Sequence, residues 1–149
     1  MINFEEIDWN VSDSIKILVT KKSFSPKKDF NISFSGKNKY EETKKNIDFL
    51  TDNFLPSEPY FIKQIHGEKV IDLDRNIFQS YVADGLVTSK KKQVISILTA
   101  DCMPIVISSI CGSIICVLHV GRKGLEFNII ESAFKILKNY NYSFEAWIG

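Results

Sequence analysis

The sequence reads LTADCMP at residues 98–104 and, after two apolar runs, HVGRKG at residues 119–124. A companion stretch, QIHG, lies upstream at residues 64–67. Each stretch follows an apolar segment of the kind that forms strands, and a strand end is a rigid position from which a side chain can reach a shared cleft. Together the three stretches contain both histidines of the chain and one of its three cysteines. The sequence therefore predicts one metal site with three ligands: His66, Cys102 and His119.

Zinc is the metal that this set of ligands favours. A catalytic zinc commonly has three protein ligands from imidazole and thiolate groups, and it keeps a fourth position open. Copper is less favoured, because several copper ions would need many imidazole or sulfur ligands and the chain has two histidines. The spacing is not that of a zinc finger. On the residues alone an alternative stays open, in which the histidines lie at the surface and Cys102 is a small buried apolar side chain.

Composition narrows the class of protein. The chain has 149 residues, which is enough for one domain with a sizeable core. Its net charge of +1 gives no electrostatic reason to expect a nucleic acid or an acidic membrane as partner. No apolar run is long enough to span a bilayer, and the acidic start MINFEE lacks the features of a signal peptide. We therefore expect a cytoplasmic protein whose cysteines are free thiols or metal ligands.

The hydrophobic patterns predict a mixture of strands and helices. A period near 3.6 residues predicts helices at 40–54 and 125–140. Apolar, β-branched segments predict strands at 15–20, 30–34, 60–65, 70–73, 94–98, 105–107, 114–118 and 146–148, with 94–98 as a buried central strand. A hairpin turn is expected at 108–113, and Asp84-Gly85 is a turn signal. We expect an α/β fold of the mixed α+β kind, in which a mixed β-sheet core is flanked by helices within a single domain.

Four motifs in order resemble one family: QIHG at 64–67, ADGLVT at 83–88, TADCMP at 99–104 and HVG at 119–121. It is the laccase-domain family, also called the multicopper polyphenol oxidase or purine nucleoside phosphorylase family and the peptidoglycan editing factor family. The resemblance implies a zinc bound by His66, Cys102 and His119. It also implies phosphorolysis of adenosine, inosine and methylthioadenosine, together with deamination of adenosine. The partners would then be a small-molecule nucleoside and phosphate.

The chain departs from the family pattern in three places. The family sequence HAGWRG is here HVGRKG at 119–124, so that a tryptophan is lost and an arginine has become Lys123. The early Thr-Arg-x-Gly-Gly loop is not recognisable around residues 20–26. The family also continues beyond Gly149 with a Gly-Pro segment. We therefore expect a laccase-like domain over residues 1–149 that is truncated at the C-terminus, and whose open end could drive formation of a homo-oligomer.

Further residues receive roles in this hypothesis. Asp84 and Asp101 are the candidates for a catalytic acid, or for a partner that orients a ligand histidine. Gln64 and Lys123 are the candidates for substrate binding, and a lysine in place of arginine keeps the charge but loses the bidentate fork. Three alternatives stay open: a non-catalytic, degenerate remnant of the family; a copper-dependent polyphenol oxidase; and a hydrolase in which Cys102 is the nucleophile and His119 the base.

Overall fold

A five-stranded sheet forms the centre of the fold. The computed structural model describes residues 4–20, 30–34, 40–75 and 81–149. The elements of this part of the chain are, in order, β1 (Phe4–Ile7), β2 (Ile17–Thr20), α1 (Tyr40–Phe54), β3 (Val70–Asp72), β4 (Gly85–Thr88), β5 (Met103–Ser109), β6 (Ile115–Val120), α2 (Arg122–Glu126), α3 (Ile129–Leu137) and β7 (Phe144–Ile148).

The order of strands in the central sheet is β3-β4-β6-β5-β7, and β1 and β2 form a separate antiparallel pair. Strands β3 and β4 are parallel, whereas the other neighbours are antiparallel. The sheet is therefore mixed, and the prediction of a mixed α+β fold is confirmed. In the pairing of β5 with β6, Pro104 lies opposite His119. The start of β5 and the end of β6 therefore lie side by side at the same end of the sheet.

The two faces of the sheet are buried by different elements. Alternate residues of β4, β5 and β6 point to opposite faces, as the pleat requires. One face packs against α3 through Ile129, Ala133 and Leu137. The other face packs against Ile17 of β2 and against Ile62 in an extended segment. Because both faces are covered, the central strands read as nearly continuous apolar runs.

The predicted helix at 125–140 is wrong in its bounds, because the chain forms two helices here. Helix α2 begins at Arg122, directly after Gly121, and ends at Glu126. Asn128 has a φ of +61°, which interrupts the right-handed helix before α3 starts at Ile129. Asparagine tolerates this left-handed conformation better than most residues, so the break falls at a suitable position.

Three predicted strands are not strands. In the segment 30–34 the carbonyl groups of Asn31 and Ser33 instead accept hydrogen bonds from side chains of α1. The segments 60–65 and 94–98 are held by isolated bridges, of which one joins Tyr60 to Ile95. Segment 94–98 is half-buried and is not a central strand. An apolar pattern indicates burial and not strand pairing. An extended segment can therefore pack against a face of the sheet without forming hydrogen-bonded pairs with its strands.

Asp84-Gly85 is also not a turn, because Gly85 begins the fully buried strand β4. A Cβ atom on Gly85 would lie 2.6 Å from Cδ2 of Leu118, so the glycine allows two strands to approach closely.

Other predictions hold. Helix α1 has the expected bounds, and strands lie within or across five predicted segments. The chain turns between Ser109 and Ile114, where Gly112 has a φ of +72°. The Thr-Arg-x-Gly-Gly loop of the family would fall around residues 20–26, and residues 21–29 lie outside the described part of the chain. Among the described helices none is long and apolar enough to cross a membrane.

Candidate metal centre

The three predicted ligands converge. One potential ligand atom from each of His66, Cys102 and His119 lies within 4.8 Å of the other two. The two imidazole rings meet edge to face, with their centroids 4.7 Å apart. His119 is buried, Cys102 is half-buried and His66 is exposed, so the cluster opens to solvent on one side. A metal bound here would be reachable by a small molecule.

The sheet brings His119 and Cys102 together. His119 lies near the end of β6, and Cys102 directly precedes β5. Pro104 pairs with His119 and Met103 with Val120, so Cys102 is the next residue along the same register. Two residues that are distant in sequence therefore become neighbours through strand pairing.

His66 reaches the cluster from outside the sheet. It has a φ of +61°, a left-handed conformation that is uncommon for a residue with a side chain. The backbone N–H groups of Ile65, His66 and Gly67 all donate to the carboxylate of Asp84, at 3.2, 2.9 and 2.8 Å. Successive N–H groups that point at one anion form a stable nest, which accounts for the strained conformation.

Asp84 also contacts the other ligand histidine. It pairs with His119 across strands β4 and β6, where the N–H of His119 donates to its carbonyl oxygen at 2.7 Å. Its Oδ1 atom lies 2.8 Å from Nδ1 of His119. The side chain of Asp84 is fully buried, so both oxygens of its carboxylate are used within the protein. Since Nδ1 of His119 is occupied, Nε2 is the nitrogen that can face a metal.

Gln64 and Gly121 complete the surroundings of the cluster. The Gln64 side chain bonds to the backbone of Leu98, on the segment that leads to Cys102. At Gly121 a Cβ atom would lie 3.0 Å from Sγ of Cys102 and 3.1 Å from Cδ2 of His66. The space between the two ligands therefore depends on the absence of a side chain at this position. The sequence contained Gly121 within a motif but offered no signal for this role.

The residues fit a zinc ion. Imidazole nitrogen and thiolate sulfur are its common ligands, and in a tetrahedral site such atoms are roughly 3–4 Å apart. The observed separations of up to 4.8 Å need small side-chain rotations to reach that range. A carboxylate on the far nitrogen of a ligand histidine is a common feature of zinc sites, and Asp84 supplies it. Three ligands would leave one coordination position for a substrate or water.

The remaining predicted site residues are exposed and lie near the ligands in sequence. Asp101 directly precedes Cys102, and Lys123 lies in α2; both side chains are exposed. In the described part of the chain neither forms an ion pair or hydrogen bond with the three ligands. The roles predicted for Asp101, Lys123 and Gln64 in catalysis and substrate binding stay predictions.

The other two cysteines have different environments. Cys116 is fully buried in β6, and this burial raises the pKa of its thiol. Cys111 is exposed in the turn between β5 and β6, where hydrogen bonds with Ser113 and Ser109 lower the pKa of its thiol. Neither belongs to the cluster, which leaves Cys102 as its sulfur ligand.

The chain is similar to known proteins in sequence. The family model described as multi-copper polyphenol oxidoreductase laccase matches residues 19–149. A purine nucleoside phosphorylase of Xylella fastidiosa is 37% identical over 100 residues, which cover 64% of this chain and 38% of that protein. A purine nucleoside phosphorylase of Haemophilus influenzae is 29% identical over 147 residues, which cover 95% of this chain and 60% of that protein.

Solved structures share the fold. Neisseria meningitidis protein NMB0706 aligns with a TM-score of 0.84 at 22% identity, over 99% of this chain and 62% of that one. YlmD from Geobacillus stearothermophilus aligns with a TM-score of 0.70 at 16% identity, over 84% of this chain and 52% of that one. The chain thus spans between about two fifths and three fifths of these relatives.

Proposed function

The chain belongs to the multi-copper polyphenol oxidoreductase laccase family, and from this premise we propose that it is a zinc-dependent purine nucleoside phosphorylase. The observation that carries the proposal is the convergence of His66, Cys102 and His119, whose ligand atoms lie within 4.8 Å of one another. The names of two relatives, each called a purine nucleoside phosphorylase, support this choice of reaction class. We propose adenosine, inosine and methylthioadenosine as substrates, and deamination of adenosine as a second activity.

The reaction requires two substrates to meet at the cluster. In phosphorolysis an oxygen of phosphate forms a bond to C1′ of the ribose, while the bond from C1′ to the purine nitrogen breaks. The electron pair of that bond leaves with the purine, which gains a proton, and ribose 1-phosphate is the other product. Zinc held by His66, Cys102 and His119 would supply a Lewis acid that stabilises developing negative charge.

Two exposed residues, Lys123 and Asp101, provide the remaining chemistry in this proposal. Lys123 carries a positive charge on the exposed surface of α2, and it would attract the phosphate. Asp101 adjoins Cys102, and in this proposal its carboxyl group is the candidate for the acid that gives a proton to the departing purine. In deamination water would take the place of phosphate as the attacking group. Its oxygen would bond to C6 of adenosine while ammonia leaves.

Metal content and activity, measured on the same samples, test this proposal. We expect about one zinc per chain in the wild type. We also expect adenine and ribose 1-phosphate to form from adenosine and phosphate. Cys102→Ser should lose both the metal and the activity, whereas Cys111→Ser, which alters the exposed thiol outside the cluster, should retain both.

Other outcomes would favour the alternatives. A chain that binds zinc but does not cleave adenosine, inosine or methylthioadenosine would be the non-catalytic remnant of the family. Several copper atoms per chain with oxidation of phenols would favour the polyphenol oxidase. Inosine and ammonia formed from adenosine in the absence of phosphate would establish the deaminase activity separately.

A further inference from the structure

We propose that Asp84 is a positioning residue, which selects Nε2 of His119 as the nitrogen offered to the metal and holds the backbone of His66 in its left-handed conformation. The inference rests on the proposed metal centre and deepens it. It differs from a catalytic role because the Asp84 side chain is fully buried and does not open onto the solvent-facing side of the cluster.

Four groups surround the carboxylate of Asp84. Oδ1 accepts from the N–H of His66 and lies 2.8 Å from Nδ1 of His119. Oδ2 accepts from the N–H of Ile65 and the N–H of Gly67. Three of the four partners are backbone N–H groups, which are donors only. An ionised carboxylate is an acceptor only, so the fourth partner must also donate.

This requirement fixes the tautomer of His119. When Nδ1 carries the hydrogen and donates it to Asp84, Nε2 has the free lone pair. A metal can bind the lone pair and cannot bind an N–H group. Asp84 therefore decides which nitrogen of His119 is the ligand, and it does so before any metal arrives. The same carboxylate holds the segment 65–67, so one buried group sets the placement of both histidines.

An amide at position 84 would break this arrangement in a predictable way. With its NH₂ group at the place of Oδ2, an asparagine would face two backbone donors, those of Ile65 and Gly67. With the NH₂ group at the place of Oδ1, it would face one backbone donor and Nδ1 of His119. The second orientation is less unfavourable, because His119 can accept by moving its hydrogen to Nε2. In Asp84→Asn the lone pair at Nε2 would thus be lost.

The decisive experiment is ¹⁵N NMR of the histidine side chains in metal-free protein, in which the chemical shifts of Nδ1 and Nε2 identify the nitrogen that carries the hydrogen. The chain has two histidines, and His66→Ala assigns the signals. We expect the Nδ1–H tautomer for His119 in the wild type and the Nε2–H tautomer in Asp84→Asn. An Nε2–H tautomer in the wild type would overturn the proposal, whether or not Asp84→Asn folds.

Zinc affinity, measured by competition with a chelator, gives the second readout. We expect it to fall about 10–100-fold in folded Asp84→Asn. The matched control is Asp72→Asn, which alters another buried carboxylate, one that accepts from the N–H of Asp74 and does not contact the ligands. Unchanged zinc affinity in folded Asp84→Asn would contradict the proposal. Because neither readout uses phosphate or a nucleoside, a failure here is distinguishable from a failure of the proposed enzyme activity.

Discussion

The side-chain amide of Gln64 is bonded at both ends to the backbone of Leu98. Its Nε2 atom donates to the carbonyl oxygen of Leu98 at 2.8 Å, and the N–H of Leu98 donates to Oε1 at 2.7 Å. This pair joins the segment that carries His66 to the segment that carries Cys102. Two ligands from parts of the chain that share no strand ladder are thereby held at a fixed separation.

Replacement of Gln64 by alanine should loosen the site without unfolding the protein. In Gln64→Ala we expect zinc affinity to fall about tenfold, because the two segments lose the side-chain connection that lies next to the ligand residues and keep only the backbone bonds around Tyr60. Chelator competition measures the change, and circular dichroism reports the fold. Gln93→Ala, in the loop before segment 94–98, is the matched control and should bind zinc like the wild type. Equal affinity in the two variants would show that Gln64 does not position the ligands.

A methyl group at Gly121 should disturb the metal centre directly. The new Cβ atom would lie 3.0 Å from the sulfur of Cys102 and 3.1 Å from the ring of His66, so at least one ligand must move. We expect Gly121→Ala to bind zinc at least about tenfold more weakly. In cobalt-substituted protein the visible absorption bands should shift as the coordination changes.

Gly67→Ala is a suitable control for that experiment. A Cβ atom on Gly67 would make ordinary contacts at 3.5 Å with Asp84 and Ile65. Its N–H to Asp84 is kept in the alanine variant, so we expect wild-type zinc affinity. If both glycine variants bind zinc like the wild type, the space at Gly121 is not needed by the ligands.

The thiol of Cys111 should become reactive at a lower pH than an ordinary cysteine thiol does. Hydrogen bonds with Ser113 and Ser109 lower the pKa of its thiol, so the reactive thiolate forms earlier as the pH rises. We expect the rate of alkylation by iodoacetamide, followed by mass spectrometry, to reach half its maximum at a lower pH in the wild type than in Ser113→Ala. An unchanged midpoint in that variant would contradict the assigned cause.

The three cysteines should also differ in their response to a chelator. Cys102 should be protected from alkylation when zinc is bound and should react once a chelator removes it. Cys116 should stay unmodified in both conditions, because it is buried and its thiol pKa is raised. Equal labelling of Cys102 with and without the chelator would favour the cysteine hydrolase.

The ionised carboxylate of Asp74 should stabilise the fold at neutral pH, and this effect should disappear as the pH becomes acidic. Partial burial alone would raise the pKa of its carboxyl, but hydrogen bonds from Ser89 and Thr88 outweigh burial and lower it. A carboxyl whose pKa is lower in the folded than in the unfolded protein stabilises the fold above its unfolded pKa, and this contribution disappears as the pH falls through the folded value.

Urea denaturation at neutral and acidic pH tests this expectation. Asp74→Asn should lower the free energy of unfolding by about 1 kcal/mol at neutral pH. The difference from the wild type should shrink as the solution becomes acidic. Asp52→Asn, on the exposed surface of α1, should behave like the wild type at both values. A difference for Asp74→Asn that does not change with pH would mean that the carboxylate charge is not involved.

The amino-acid sequence determined the elements whose signals are local. Helix α1 followed from its apolar period, and strands β5 and β6 followed from apolar runs separated by a turn with a glycine. The three candidate ligands were also identified from the sequence, because their residue types are few in this chain and each comes near the end of an apolar segment. Each of these features depends on residues that are close together in sequence, so it can be recognised without knowledge of the tertiary structure.

Tertiary structure decided the features that depend on distant partners. Segments 60–65 and 94–98 have the composition of strands, yet they pair with each other only through a bridge at Tyr60 and Ile95, and they do not join the central sheet. Asp84-Gly85 has the composition of a turn, but close packing on Leu118 places Gly85 in a buried strand. The carboxylate of Asp84 joins His66 to His119 only because β4 pairs with β6, and no local pattern encodes that pairing.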